Sequence, residues 1–445
     1  MNAPKTDPRT EQRRFLFLVD QGWRIEKQEL LRYLQERGLT FEVATHNELS
    51  CQSLQEDFDT IRLPVHPLRR GLRYGVLMFL ARELQTSNVR YRRHLKLAGK
   101  PRHRRGLQAI RNLLGRLGLR RHTYCDALAR LYEKSDAYAD VLNRFDTLVF
   151  LPVEVQDKRI LFEAKRRGMR TVCWVYSWDN PMKDNEFFPY ADQYLVWNEE
   201  NKRDIQELHH IPAERIDITG PVQFDYLLDE GGSGTATAST ESRYVLYACA
   251  LGLDCHVPQE IAIILRIRDV LDGINPKIRL LVRPYPFRRT CEGHEYEALS
   301  HRKGIELLRF GRIRDGHVII SREDLIERRR QIDHAACFIN FGSTIGLEAS
   351  FTSTPILQLA FNAGGDYPRH EDAAQVLNNY HLRYIVDTSY PNTVCSEDEL
   401  RTALADILDG KTDRFEPYSE KLQQFANPLE TDSYKRIFLN KLLAR

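Results

Sequence analysis

The chain has 445 residues, of which 42% are hydrophobic and 29% are charged, and its formal net charge is +3. This length exceeds what one ordinary hydrophobic core needs and suits two α/β domains of about 200 residues each. The balance of apolar and charged residues excludes a disordered or a fibrous protein.

Residues 1–14 are polar and charged, and no later run approaches the ~20 apolar residues of a membrane-spanning helix. We therefore expect a cytoplasmic protein. The eight cysteines and 14 histidines show no metal-ligand or redox-motif spacing. We accordingly expect free thiols and no protein-held metal.

The N-terminal half alternates β-rich runs with helical patterns, which is typical of a parallel sheet covered by helices. Strands are predicted at residues 15–19, 41–44, 147–153, 171–176 and 194–197. These elements predict a Rossmann-like domain over residues 1–220.

A basic segment interrupts this domain at residues 90–121, where twelve Lys and Arg residues occur without an acidic one. Leu107, Ile110, Leu113, Leu114 and Leu117 follow a roughly helical spacing in the same segment. A basic amphipathic helix suits an anionic membrane surface better than a nucleic acid, although both attract basic residues. We expect this insertion to contact the membrane.

A Gly- and Ser-rich run, GGSGTATAST at residues 231–240, lies inside a predicted linker that covers residues 221–242. A second alternating series follows, with predicted strands at residues 244–249, 278–282, 318–320, 337–340, 356–360 and 384–386. It predicts a second Rossmann-like domain over residues 243–415. Residues 416–445 are predicted to form helices that pack back on the N-terminal domain. The fold class is therefore α/β with two Rossmann-like domains facing a central cleft, the GT-B arrangement.

The segment CFINFGSTIGLEAS, residues 337–350, combines a buried strand with the start of a helix. The strand ends near Gly342, and Ser343 and Thr344 open the helix, so unpaired backbone amides would suit a pyrophosphate. Glu348, about one turn further on, would accept hydrogen bonds from ribose hydroxyls. The alternative is that Ser343 only caps the helix and Glu348 only contacts its dipole.

Arg283 ends the predicted strand of LLVRPYP and reaches the carboxyl edge of the same sheet. A guanidinium matches phosphate oxygens, although a surface ion pair is the alternative. In the N-terminal domain, Asp179 ends a strand in the cluster SWDN and would serve as the general base. Trp178 and Asn180 would hold a sugar or a headgroup, and an Asx-turn is the alternative role for Asp179.

Glu154 and Asp20 also follow predicted strands, after LVFLPV and FLFLV respectively. Both occupy the same topological position as Asp179, because the carboxyl ends of parallel strands share one edge. They are rival candidates for the base, and the sequence does not rank the three carboxylates.

Four motifs together resemble a family of bacterial GT-B enzymes of surface-polysaccharide synthesis, similar to capsule, teichoic-acid and CDP-glycerol glycerophosphotransferase-like enzymes. They are SWDN at 177–180, YLVWNEENKRDIQELHHIPAERIDITGPVQFD at 194–225, RPYP at 283–286 and GSTIGLEAS at 342–350. The resemblance implies that Gly220 to Asp225 form the crossover between the domains. It also implies that Arg283, Ser343 and Thr344 contact the donor phosphates and that Glu348 contacts the nucleoside.

The chain departs from related families that use cytidine-nucleotide donors, because Tyr285 stands where those families often have a histidine before proline. The expected function is a metal-independent glycosyltransferase that uses a nucleotide sugar as substrate and no further cofactor. Its acceptor would be a membrane-associated glycan or lipid, and the protein would lie peripherally on the inner face of the membrane. The alternatives are transfer from CDP-glycerol, a UDP-sugar 2-epimerase, and a non-catalytic protein that binds membranes or nucleic acid.

Overall fold

The computed structural model describes residues 13–65, 136–183, 191–209, 211–228, 244–250, 256–285, 294–308, 311–314, 317–363, 372, 374, 377, 380–429 and 431–444. Its contacts divide the chain into two compact units. The N-terminal unit comprises Met1–Asp225 and Ser433–Arg445, and the C-terminal unit comprises Tyr226–Asp432. The basic segment 90–121 and most of the predicted linker lie outside the described residues.

The N-terminal unit is built on a seven-stranded sheet in the order β3-β2-β1-β4-β5-β6-β7, and every pairing is parallel. Its strands are β1 (Phe15–Leu18), β2 (Phe41–Thr45), β3 (Thr60–Arg62), β4 (Thr147–Phe150), β5 (Arg170–Trp174), β6 (Gln193–Val196) and β7 (Ile216–Ile218). The central strands are continuous apolar runs because helices can cover both faces of a parallel sheet.

The helices of this unit follow the strands as crossover connections. They are α1 (Ile25–Glu36), α2 (Glu48–Leu54), α3 (Ala139–Leu142), α4 (Arg159–Arg166), α5 (Asn180–Lys183) and α6 (Glu199–His209), with 3-10 turns at Ala213–Arg215 and Val222–Phe224. Helix α1 buries Leu30, Leu31 and Leu34 at helical spacing.

The C-terminal unit contains a six-stranded parallel sheet in the order β10-β9-β8-β13-β14-β15. Its strands are β8 (Tyr244–Ala248), β9 (Arg279–Arg283), β10 (Ile305–Leu307), β13 (Cys337–Asn340), β14 (Ile356–Leu359) and β15 (Thr393–Val394). A separate antiparallel pair is formed by β11 (Arg312–Arg314) and β12 (His317–Ile319).

The helices of the C-terminal unit cover this sheet. They are α7 (Asp225–Leu228, which begins at the last residue of the N-terminal unit), α8 (Val257–Ile274), α9 (Arg322–Asp333), α10 (Thr344–Ala349), α11 (Glu397–Leu408) and α12 (Glu416–Ala426), with 3-10 turns at His294–His301, Tyr380–Tyr384 and Asp413–Phe415. A capping box formed by Ser321 and Asp324 fixes the start of α9.

Two predicted strands of the C-terminal half differ from the structure. Residues 318–320 lie at the antiparallel pair β11–β12 and not in the main sheet. Residues 384–386 are not a strand, because the amides of Ile385 and Val386 turn back to the carbonyl of Leu382 at 3.0 and 2.8 Å. The edge of the sheet is instead β15, which pairs with β14.

The chain crosses between the units at Asp225 and Tyr226, whereas the sequence predicted a domain end at residue 220 and a linker to residue 242. The 3-10 turn Val222–Phe224 and helix α7 occupy the start of that predicted linker. The predicted C-terminal helices belong to different units, since α12 lies in the C-terminal unit and α13 (Tyr434–Leu443) in the N-terminal unit.

Helix α13 is attached to the N-terminal sheet by hydrogen bonds and aromatic packing. Arg170 and Gln193 donate to the carbonyls of Leu442 and Lys441, each at 3.0 Å. The rings of Trp174 and Phe438 lie 5.2 Å apart between centroids. These bonds also satisfy carbonyls of the last helical turn, which have no partner within a helix.

Each sheet reverses its strand order once, between β1 and β4 in the N-terminal unit and between β8 and β13 in the C-terminal unit. Ligands of open α/β sheets bind beyond the carboxyl ends of the strands at such a reversal. The loops that follow these strands are therefore the first places to look for a functional site.

Candidate functional site

A buried ionic cluster occupies the C-terminal unit, and its members come from four separate elements. Arg283 is the last residue of β9, Arg328 lies in α9, Glu348 lies in α10 and Tyr226 lies in α7. The structure thus brings two predicted residues, Arg283 and Glu348, into one electrostatic environment. Arg328 and Tyr226 are additional members that the sequence did not predict. We call these four residues the arginine cluster.

Glu348 is held through one of its two carboxylate oxygens. The hydroxyl of Tyr226 donates to Oε2 at 2.7 Å, and Nε of Arg328 lies 2.8 Å from the same oxygen. Arg328 also donates from Nη2 to the hydroxyl of Tyr226 at 3.0 Å. Glu348 is 7% exposed, so these contacts compensate a largely desolvated carboxylate.

Arg283 is the second cation of the arginine cluster and is only 4% exposed. Burial, and then the neighbouring charge of Arg328, lower the pKa of Arg283 to about 9, although the carboxylates of Glu348 and Asp324 oppose the shift. The guanidinium keeps its proton at neutral pH, so the lowered pKa expresses an electrostatic cost of burying it. A bound anion would relieve that cost.

The loop after β13 satisfies several of its own backbone amides. The amide of Gly342 donates to Oδ1 of Asn340 at 3.0 Å and to Oε1 of Gln358 at 2.9 Å, and the amide of Ser343 donates to Oδ1 of Asn340 at 3.2 Å. This differs from the sequence interpretation, which treated these amides as unpaired. Buried amides require partners, and the side chains of neighbouring strands supply them.

Ser343 is the N-cap residue of α10, but its side chain makes no capping bond. Its Oγ is buried and has no hydrogen-bond partner among the described residues. The simple capping role considered for Ser343 is therefore not observed. Thr344 begins the same short helix, and Gly342 has a φ of +69°, a conformation that glycine adopts without strain.

Asp20 lies at the reversal between β1 and β4 in the N-terminal unit, and its carboxylate is fully engaged. Oδ1 accepts from Oγ1 of Thr45 at 3.1 Å and from the amide of His46 at 2.6 Å. Oδ2 accepts from the amide of Gln156 at 3.1 Å and contacts Nδ1 of His46 at the same distance. Asp20 is 3% exposed, so the side chain is part of the packed interior.

Glu154 faces Asp20 across the same strand reversal and forms a buried ion pair with Lys27 of α1. Its Oε2 accepts from the amide of Gln21 at 3.2 Å. Asp20 and Glu154 thus each bind an amide of the loop that carries the other. Burial lowers the pKa of Lys27 to about 8, against the opposing effect of Glu154.

The turn after β5 contains the remaining predicted residues of the N-terminal unit. Oδ1 of Asn180 accepts from the amide of Ser177 at 3.0 Å, and its Nδ2 donates to Oδ1 of Asp179 at 3.4 Å. Asp179 is 6% exposed and Trp178 is 2% exposed. Asn201 donates to the carbonyl of Trp178 at 2.8 Å. Trp178 therefore packs in the interior and presents no open ring face to a sugar.

Gly220 and Asp225, which were predicted at the crossover between the domains, both contact α13. Gly220 has a φ of +77°, and a Cβ placed there would lie 2.2 Å from Cδ1 of Tyr434. The carboxylate of Asp225 accepts from the amides of Tyr434 at 2.5 Å and Lys435 at 3.3 Å. Asp225 thus caps α13, and burial raises its pKa despite the nearby ammonium of Lys435.

Two further searches cover only the part of the chain that the structure describes. Within it, no group of three or more His, Cys, Asp and Glu side chains is arranged to hold a metal ion. No helix in that part is both long and apolar enough to cross a membrane.

Arg328 was detectable from the sequence, although Tyr226 was not. Leu325 and Ile332 of α9 are buried, and Arg328 lies between them at a spacing of three and four residues. Residues at this spacing share one face of a helix, so Arg328 belongs to the buried face. The segment REDLIERRRQID is so highly charged that it suggests a solvated helix instead.

The sequence matches no protein-family model and no curated protein. Among solved structures, it is similar to S. aureus MnaA solved with UDP, at 11% identity and a TM-score of 0.52 over 97% of this chain and 96% of the other. A putative UDP-N-acetylglucosamine 2-epimerase from Listeria monocytogenes aligns at 10% identity and a TM-score of 0.50, over 96% and 95%. A glycosyltransferase from Rickettsia africae aligns at 13% identity and a TM-score of 0.46, over 97% of both chains. The first two alignments and the two parallel sheets show that this protein has the predicted GT-B fold.

Proposed function

We propose that this protein is a metal-independent glycosyltransferase that takes a sugar from a nucleotide-sugar donor. The observation that supports this most is the proximity of two largely buried guanidiniums, Arg283 and Arg328, beside the carboxylate of Glu348. A nucleoside diphosphate is an anion that two neighbouring guanidiniums would bind, because arginine forms paired hydrogen bonds with phosphate oxygens.

In this proposal, Arg283 and Arg328 bind the phosphates, and the hydroxyls of Ser343 and Thr344 contact them from the loop after β13. The same charges stabilise the leaving nucleotide as negative charge develops on it in the transition state. Glu348 accepts hydrogen bonds from the ribose hydroxyls, which fixes the nucleoside.

The acceptor hydroxyl requires a group that takes its proton. We propose Asp179 for this role, because it follows β5 at the carboxyl edge of the sheet, where Nδ2 of Asn180 donates to its Oδ1 at 3.4 Å. Asn180 is proposed to position the acceptor beside Asp179. A base must lie within hydrogen-bond reach of the proton that it removes, so this role depends on how the acceptor binds.

A second candidate is a UDP-sugar 2-epimerase. Two solved structures favour it, since the Listeria protein is named as a putative enzyme of this kind and S. aureus MnaA was solved with UDP. The arginine cluster suits both reactions equally, because both involve a nucleoside diphosphate sugar.

One incubation separates these candidates. The full-length protein is mixed with UDP-GlcNAc, labelled in the sugar, with and without a bacterial lipid and glycan extract. A transferase releases UDP and labels the extract, and parallel incubations with other UDP-, CDP- and CMP-sugars define the donor. An epimerase yields the C2 epimer, free or bound to UDP, without any acceptor. Calorimetry with UDP, CDP and CMP completes the test, and absence of binding to all three at millimolar concentration would overturn the proposal.

The acceptor is proposed to be a membrane-associated glycan or lipid, reached while the basic segment 90–121 lies on the anionic inner surface. Each basic residue near such a surface contributes about 1 kcal/mol, and salt screens the attraction. The fraction of protein that co-sediments with phosphatidylglycerol vesicles should fall steeply as salt rises from about 50 to about 300 mM, because the Debye length shortens over this range. Equal sedimentation with neutral vesicles would contradict this.

A further inference from the structure

The two oxygens of the Glu348 carboxylate have different surroundings. Oε2 receives the hydroxyl proton of Tyr226 and contacts Arg328, whereas Oε1 has no hydrogen-bond or ion-pair partner among the described residues. A carboxylate can accept several hydrogen bonds, so Oε1 retains its accepting capacity.

Tyr226 links Arg328 to one of the two oxygens of the Glu348 carboxylate. Its hydroxyl accepts from Nη2 of Arg328 at 3.0 Å and donates to Glu348 at 2.7 Å, which links cation, phenol and carboxylate in one chain. Such linked bonds orient one another and fix the carboxylate plane. Burial raises the pKa of Tyr226, so the phenol stays protonated and remains a donor.

We propose that Tyr226 and Arg328 are positioning residues that hold Glu348 by Oε2 so that Oε1 selects the ribose hydroxyls of the donor nucleotide. This inference rests on the proposed function, because it requires a nucleotide at the arginine cluster. It assigns a specificity role to a residue at the crossover between the units, 122 positions before Glu348. The expected ligand property is a ribose with its 2′-hydroxyl present.

The experiment measures how well each variant distinguishes ribose from deoxyribose. Dissociation constants for UDP, CDP and their 2′-deoxy forms are determined by calorimetry for wild type, Tyr226→Phe, Arg328→Lys and Glu348→Gln. A hydrogen bond to a charged group corresponds to a preference of about 10- to 150-fold for the ribonucleotide in wild type. Glu348→Gln should remove most of it.

Tyr226→Phe should reduce the preference by about 3- to 10-fold, because a hydrogen bond that only orients the acceptor contributes less than the acceptor itself. The ring remains, so the packing against Arg328 is kept. Tyr244→Phe is the matched control in the same unit, since the hydroxyl of Tyr244 donates to the carbonyl of Gln331 at 2.7 Å and is not linked to Glu348. It should leave the preference unchanged. Arg328→Lys should weaken the binding of both the ribonucleotide and the deoxyribonucleotide and should also reduce the preference for the ribonucleotide. It replaces Tyr226→Phe as the test variant if that variant folds poorly.

The outcomes separate this inference from the proposed function. If wild type binds none of the nucleotides, the proposed function fails and the inference fails with it. If wild type prefers ribonucleotides and Glu348→Gln loses that preference, but Tyr226→Phe and Arg328→Lys keep it, only the positioning role is overturned. The positioning role is also overturned if Tyr226→Phe weakens the binding of ribonucleotides and deoxyribonucleotides equally, or if wild type shows no preference between them.

Discussion

The two units place buried charges at equivalent edges of their sheets but balance them differently. In the N-terminal unit, Asp20 contacts His46 and Glu154 pairs with Lys27, and main-chain amides bind the remaining oxygens. In the C-terminal unit, the carboxylates of Glu348 and Asp324 both attract the guanidinium of Arg283, and the contacts of Glu348 are to its Oε2. The difference lies in the carboxylate oxygens, because those of Asp20 and Glu154 are bound by the chain, whereas Oε1 of Glu348 has no partner among the described residues. Under the proposed function, this difference is consistent with ligand binding at the arginine cluster and structural roles for Asp20 and Glu154.

The largest expected effect tests Asp179 as the proposed general base. Asp179→Asn should reduce turnover by roughly 10²- to 10⁴-fold, the usual contribution of a positioned proton acceptor. Steady-state kinetics with the donor identified above is the measurement, and an unchanged melting temperature shows that folding is intact. Wild-type turnover in this variant would return Glu154 to consideration as the base.

Removing one partner of the buried ion pair should destabilise the N-terminal unit. Glu154→Gln leaves the buried ammonium of Lys27 without its counter-ion, which costs about 3–5 kcal/mol of the free energy of unfolding. Denaturant titration measures this loss. The double variant Lys27→Met, Glu154→Gln should recover much of it, because no charge is then left uncompensated. If both variants are equally unstable, the pair is not the cause.

The arginine cluster should respond in the opposite way. Arg283→Met removes a buried cation that Arg328 repels, so the free energy of unfolding of the free protein should stay unchanged or rise. Nucleotide binding should weaken by about 10- to 150-fold, the value of hydrogen bonds to a charged group. Arg279→Met is the matched control on the same strand, because Arg279 forms an exposed pair with Glu306 at 2.7 Å. Loss of stability without loss of nucleotide binding would reverse the comparison.

The smallest effect is a pH dependence of stability caused by Lys27. Its pKa in the folded protein is about 8, below the value of 10.5 for a free side chain. Between these pH values the unfolded chain holds a proton that the folded protein has released, so stability rises with pH. The unfolding free energy of wild type minus that of Lys27→Met should increase by up to about 1.4 kcal/mol per pH unit. A difference that is flat from pH 7.5 to 9.5 would contradict the lowered pKa.

Strand ends were the most predictable part of the candidate site. Arg283 and Gly342 follow apolar β-rich runs, and a parallel sheet brings all such ends to one edge, so their placement did not require knowledge of distant contacts. Tyr226 and Arg328 were not predicted, because no local pattern marks Tyr226 and the high charge of α9 conceals the buried face that carries Arg328. Their mutual hydrogen bond spans 102 positions.

The sequence by itself determined the class of fold, since periodic apolar runs separated by helical segments require two parallel α/β sheets. It also placed the candidate carboxylates and Arg283 at the carboxyl ends of the strands. Only the tertiary structure decided that α12 and α13 belong to different units and that residues 384–386 do not form the edge strand. It alone decided which charges are compensated, because compensation depends on distances between side chains from separate elements, and local patterns carry no information about those distances.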